Sequence, residues 1–162
     1  MKIGLISDTH NNIDITKRAV EVFKERNVDM VIHGGDLTSP RMIDLFKELS
    51  CIFILGNGDF EVELINKKSR NLGFAAAQYS CDLKLDNKRL FAMHGNDAKT
   101  IKDVIRSGEY DYIIKGHTHC YENYISNNTR VINPGSLQDG KENFIAILNT
   151  GDDEVDKIRI EV

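Results

Sequence analysis

Five short stretches of this sequence set aspartate, asparagine or histidine beside glycine or threonine: Asp8-Thr9-His10, Gly35-Asp36, Gly56-Asn57, His94-Gly95 and Gly116-His117-Thr118-His119. Each follows an apolar run that reads as a strand, and four of the five histidines of the chain fall at such ends. Ligands of open α/β sheets bind outside the carboxyl ends of the strands. One histidine after a strand is more often a surface or satisfied core residue, and one Asp before Thr is usually a cap or turn. The set changes that balance. Two carboxylates, one amide and four imidazoles gathered at one sheet edge are costly to bury unless something cationic holds them. A divalent metal meets that need, and oxygen and imidazole donors without thiolate point to Mn²⁺ first, with Ni²⁺, Co²⁺, Fe²⁺ or Zn²⁺ as alternatives. Seven side chains exceed the usual protein set of one ion. If Asp36 bridges through both oxygens, two ions about 3.5–4 Å apart each receive four protein ligands. Two divalent ions, two aspartates and one hydroxide sum to about +1, which complements a singly charged phosphodiester. The imidazoles must be neutral to coordinate, so activity is expected to fall below about pH 6.

The elements must bring these stretches together. Lys2–Ser7 reads as a strand, and Ile15, Ala19, Val22 and Phe23 then share one helical face, with Asp14 as the expected N-cap. A second strand within 29–36, a second helix opening on Pro40 and a third strand within 51–57 complete a β-α-β pattern, which implies a parallel sheet with right-handed crossovers. Beyond it the pattern predicts a hairpin turning at Asp86-Asn87, a helix from Asp97 closed by Gly108, and a strand running to His117. Two more hairpins turn near Asn127-Asn128 and Gly151-Asp152. The sum is a mixed α/β domain over residues 1–162, its later strands largely antiparallel, with two sheets face to face and helices outside. On extended backbone, residues i and i+2 point the same way about 6.5 Å apart. Asp8 with His10, and His117 with His119, can therefore flank one centre or divide between neighbouring ions, the glycines turning the chain beside it.

Several neighbours carry weaker expectations. His33 reads as a structural histidine bonded to backbone, outside the metal set. Cys120 reads as a packed thiol aimed away from the centre. Asp59 could support the site, contact substrate, or cap the helical segment that follows it. Cys51, Cys81 and Cys120 share no CxxC spacing, and the first apolar run is too short for a signal peptide or a membrane span. These features predict a cytoplasmic protein with reduced thiols and no membrane partner. A net charge of −4 speaks against a broad nucleic-acid surface. The basic run 66–70 reads as a solvated face.

The motifs D-x-H, GD, GN, H and GHxH, in this order, resemble the signature of the calcineurin-like metallophosphoesterase superfamily. Val131–Ser136, "VINPGS", is similar to the small single-domain phosphodiesterase branch of it. The resemblance spans nearly the whole chain and implies a four-layer α/β/β/α sandwich, two mixed sheets flanked by helices. It implies that Asp8, His10, Asp36 and His119 hold one metal and that Asp36, Asn57, His94 and His117 hold the other. A hydroxide held at this dinuclear centre, by Asp8, Asp36 and Asn57, would then attack a phosphodiester in line. Two departures stand out. Gly58 takes the place of a histidine that in many members protonates the leaving group. A general acid contributes roughly 10²–10⁴-fold, so its absence favours leaving groups that need no proton, such as phenolates. Asn96 replaces another histidine common after "HG", and with Asn11 and Asp59 it is a candidate for substrate contact or support. The expected partner is a small phosphodiester, with a homo-oligomer left open. Two alternatives stand beside the enzyme: a non-catalytic protein-binding scaffold on the same fold, and a phosphomonoesterase or nucleotidase.

Overall fold

Side-chain alternation along β1 (Lys2–Ile6) separates two hydrophobic layers: Ile3 and Leu5 face one side and Ile6 the other, all fully buried. The computed structural model describes residues 1–85, 87–138 and 142–161. In it β1, β2 (Met30–His33) and β3 (Cys51–Phe53) run parallel, and β9 (Phe144–Asn149) pairs antiparallel with both β1 and β10 (Glu154–Arg159). The order is β10-β9-β1-β2-β3. On its outer face lie α1 (Ile13–Glu25), a 3₁₀ helix (Pro40–Phe46) and α2 (Val62–Asn71), packed through Ile6, Phe23, Val31, Phe46, Phe53 and Ile65. The second sheet contains β4 (Ser80–Leu85), β5 (Lys88–Met93), β6 (Tyr112–Ile114), β7 (Glu122–Ser126) and β8 (Thr129–Asn133), in the order β4-β5-β6-β8-β7. Ile3, Leu5, Ile32, Leu90, Tyr112 and Ile132 fill the space between the sheets. Ile101, from α3 (Ala98–Ser107), joins Ile113 and Val131 on the far face. Three apolar layers thus hold two mixed sheets and their flanking helices, the expected sandwich.

Local chemistry explains where the elements agree with the pattern and where they depart from it. Asn127 and Asn128, at φ 50° and 63°, make the tight turn between β7 and β8. Asp97 caps α3 by accepting from the Lys99 and Thr100 amides at 3.1 Å, and Gly108 closes it at φ 64°. In the β4–β5 hairpin Leu85 pairs with Lys88; Asp86 of the expected turn lies outside the described residues. The later strands pair largely antiparallel, as expected, with one parallel block among them. The hairpins are antiparallel, but β5, β6 and β8 run parallel, because α3 returns the chain to the same end before β6 starts. The segment after Pro40 is 3₁₀, not α. Asp14 does not cap α1; Asn12 holds that position and donates its amide to the Leu137 carbonyl at 3.0 Å, while Asp14 sits in the first turn, where the helix dipole favours its charge.

Candidate metal centre

The strands stop early, at Ile6, His33, Phe53, Met93 and Ile114, and the loops beyond them carry the candidate residues to one edge of the sandwich. Asp8 is fully buried, and its Oδ1 lies 3.2 Å from His119 Nε2, 3.8 Å from His94 Nε2 and 4.0 Å from His10 Nε2. Asp36 divides its oxygens: Oδ2 is 3.5 Å from His10 Nε2, and Oδ1 is 3.4 Å from His94 Nε2. Two donor groups result, Asp8-His10-His119 and Asp8-Asp36-His94, each with its ligand atoms within 4.8 Å of one another. His117 is exposed and stands with its ring 5.3 Å from that of His94. Asn57 is exposed between Gly56 and Gly58, and the Gly58 amide donates to Asp36 Oδ1 at 2.7 Å. Asn11 and Asn96 are exposed and follow His10 and His94 closely in the chain.

The cluster lacks positive charge to match its lone pairs. His94 Nδ1 is 2.8 Å from the Gly34 carbonyl, which can only accept, so Nδ1 carries the hydrogen and, whenever the ring is neutral, its Nε2 lone pair faces two carboxylates. Among the described residues Asp8 Oδ1, His10 Nε2 and His94 Nε2 are buried with no hydrogen-bond partner. Buried unpaired polar atoms cost about 1–3 kcal/mol each, more when charged. The titration preferences agree. Burial works against a charged His94, yet Asp36 and Asp8 raise its pKa above the ordinary imidazole value. Burial likewise works against a charged Asp36, yet His94 and the Gly58 amide bring it down to about 2. A divalent cation among these oxygens and nitrogens would satisfy all three orphaned atoms at once.

The supporting polar residues are fixed in turn. Ser7 Oγ donates to Asp8 Oδ2 at 2.6 Å, and the His117 amide to the same oxygen at 3.1 Å. Asp59 accepts from the amides of Asp36, Gly56 and Thr38 at 2.9, 2.8 and 2.7 Å, tying two site loops together. It does not cap α2, whose N-cap is Glu61. Burial raises the Asp59 pKa. His33 is fully buried; its Nδ1 accepts from the Gly35 amide at 3.2 Å, so Nε2 carries the hydrogen and donates to Thr9 Oγ1 at 3.0 Å. That is the backbone-bonded role expected of it, and burial lowers its pKa to about 3.

Sequence reasoning missed a clamp at the end of β8. Asn133 Nδ2 donates to the Gly116 carbonyl at 2.9 Å and to Thr118 Oγ1 at 3.0 Å. Ser136 Oγ and the Leu137 amide both donate to the Asp8 carbonyl, at 3.1 and 3.2 Å. Its signal is the Val131–Ser136 run, whose resemblance to the phosphodiesterase branch gave it no role at the site.

The site loops are not extended. Asp8, His10, Asp36, His117 and His119 all hold φ between 41° and 69°, in the left-handed region. Alternation along a strand therefore does not aim the paired ligands. A curled backbone wraps each loop around the centre, a conformation that Asp, Asn and His tolerate better than most residues. Nor does Gly116 turn the chain by a positive φ: its role is close approach, since a Cβ there would strike Ser7 Oγ and lie 2.6 Å from Asp8 Oδ2. Gly35, at φ 106°, leaves room for His94. Cys120 is exposed, not packed, because the same curled loop turns it outward.

The calcineurin-like phosphoesterase superfamily domain matches residues 1–153. A protein of Methanocaldococcus jannaschii named as a phosphodiesterase is 34% identical over 144 residues, covering 83% of each chain. The solved structure of an archaeal phosphodiesterase superposes with a TM-score of 0.93 at 32% identity, over 99% of this chain and 100% of the other. The zinc complex of Vps29 from Entamoeba histolytica shares the fold, with a TM-score of 0.65 at 19% identity, over 99% of this chain and 98% of that one.

Proposed function

Since the chain belongs to the calcineurin-like phosphoesterase superfamily, we propose that it is a metal-dependent phosphodiesterase with a dinuclear centre. Asp8, His10, Asp36 and His119 would hold one divalent ion, and Asp36, Asn57, His94 and His117 the other, with Mn²⁺ the first candidate. Bound there, the ions would acidify a coordinated water into a nucleophile near neutral pH and neutralise charge developing on the phosphoryl oxygens. The observation that carries this reading is the convergence of two carboxylates and three imidazoles around buried atoms that have no protein partner.

The chain's own residues do the positioning. Asp36 faces His10 with one oxygen and His94 with the other, the arrangement a bridging carboxylate needs. Asp59 fixes the backbone at Asp36 and Thr38 and ties it to Gly56, and Asn133 fixes the loop that carries His117 and His119. The exposed amides of Asn11, Asn57 and Asn96 stand on the solvent side, where they can donate to phosphoryl oxygens. Gly58 offers no acid, so the leaving group departs as a stable anion. Among the described residues only histidines lie within ion-pair distance of Asp8 and Asp36. With no Lys or Arg there and the histidines neutral as ligands, two divalent ions against two carboxylates and a hydroxide leave about +1, which suits a singly charged diester better than a dianionic monoester. A surface used only for protein docking gives no reason to keep every donor, which supports the enzyme over the scaffold. No helix among the described residues is long and apolar enough to cross a membrane. The chain would act as one domain, residues 1–162, in the cytoplasm.

The test is hydrolysis of bis(p-nitrophenyl) phosphate by protein stripped of metal and then given Mn²⁺, Ni²⁺, Co²⁺, Zn²⁺ or Mg²⁺ separately. Turnover that returns with at least one ion, and is lost by more than about 10³-fold in Asp36→Ala, is the expected result. Silence with every ion would overturn it.

A further inference from the structure

Phe60 is the most exposed large apolar side chain among the described residues, at 88%, and folding gives it nothing to do. Its neighbours Val62 and Ile65 pack into the outer core, whereas Phe60 and Leu64, one turn on, remain in solvent. Large exposed apolar surface beside a functional site marks a contact surface.

Its place in the chain ties it to the centre. Phe60 follows Asp59, whose carboxylate holds the Asp36 and Gly56 amides. It lies two residues from Gly58, whose amide bonds Asp36 Oδ1 at 2.7 Å. Two residues span at most about 7 Å, so an ester group on a phosphate held at Asp36 is within reach of the ring. A Cβ at position 58 would approach the Asp36 carboxylate to 3.1 Å; without one, nothing from this residue stands between the carboxylate and solvent.

Charge narrows the occupant. Exposed Glu61 and Glu63 share one surface concavity with Phe60 and Leu64, so a substrate with further phosphates would meet repulsion beside the ring. An uncharged ester group would not. A flat apolar face offers stacking and dispersion, which favour an aromatic group. We propose that Phe60 is a substrate-binding platform, and that the preferred substrates are phosphodiesters with one phosphate and an aromatic ester group that stacks on this ring. The proposal rests on the phosphodiesterase reading above.

Binding of this kind is shared by ground state and transition state, so it shows in KM more than in kcat. Phe60→Ala should raise KM for bis(p-nitrophenyl) phosphate about tenfold with a much smaller change in kcat, and Phe60→Tyr should keep the wild-type KM. Tyr124→Ala, which removes another exposed aromatic on β7, should leave KM unchanged. The chain has no tryptophan, so Phe60→Trp places a single emitting indole at the platform. Its emission should be quenched saturably by bis(p-nitrophenyl) phosphate and not by dimethyl phosphate or inorganic phosphate. Retained turnover with an unchanged KM in Phe60→Ala, or equal quenching by all three ligands, overturns the platform and leaves the phosphodiesterase reading intact. Absence of turnover in the wild-type protein with every metal overturns both.

Discussion

His33 shows how one buried side chain writes itself into the behaviour of the molecule. Its pKa is about 3 in the fold, because burial disfavours the charged ring, against about 6.5 in the unfolded chain. Between those values the unfolded chain takes up a proton that the folded chain refuses, so stability falls as pH drops from about 6.5 toward 3. Above 6.5 the residue contributes no slope. At pH 5 the loss is about 2 kcal/mol, at about 1.4 kcal/mol per unit. Asp36 acts in a lower window: its carboxylate adds stability above the ordinary carboxylate range, lost as pH falls toward about 2. His94, whose pKa is raised, contributes stability that is full below 6.5 and lost as pH rises above it. Urea unfolding of metal-free protein at pH 6.5 and pH 5 brackets the His33 window, and His33→Gln should flatten the difference. An equally steep fall in the variant would show that another group carries it.

At the level of elements, the strands, hairpins and helices were legible because hydrophobic period and turn residues are local signals. Ile3, Leu5 and Ile6 alternate visibly, and the Asn127-Asn128 turn and the Asp97 and Gly108 caps can be read directly. The donors that the structure brings together, Asp8, His10, Asp36, His94 and His119, were legible by type and by their place after strands. Their geometry was not, since left-handed φ at Asp8, Asp36, His117 and His119 is imposed by tertiary bonds and leaves no pattern in the sequence. The clamp after β8 was hidden for the same reason: Asn133 acts on Gly116 and Thr118 across β-sheet neighbours, through bonds that any loop asparagine could make. Its importance can be measured. Asn133→Ala frees the loop that carries His117 and His119, and loss of such an outer partner typically weakens metal binding about 10–100-fold. Calorimetric titration with Mn²⁺ should show a dissociation constant raised by that factor in a protein that is still folded by circular dichroism. An unchanged constant would mean that the curled loop holds itself.

Taken whole, the molecule places its donors on both halves of the sandwich. Asp8, His10 and Asp36 come from loops of the first sheet, His94 and His119 from loops of the second, and the layer between them is apolar. Without a cation, carboxylates and lone pairs at this edge oppose one another across the two sheets. An ion that binds here therefore joins the sheets as well as serving the chemistry, and it binds the folded chain alone, because the unfolded chain scatters the set. Ligand at about 100 times its dissociation constant adds about 2.7 kcal/mol. In a chain of this length each kcal/mol moves Tm by roughly 2–4 °C, so saturation with Mn²⁺ should raise Tm by about 5–10 °C over protein held in chelator. Asp36→Ala removes the carboxylate that faces both His10 and His94, and most of the shift should go with it. Tyr124→Ala, at an exposed edge strand, should keep the full shift. Scanning calorimetry with and without chelator decides the matter: if Tm is indifferent to metal in the wild-type chain, the ions do not join the two sheets, and the edge must be held by its protein bonds alone.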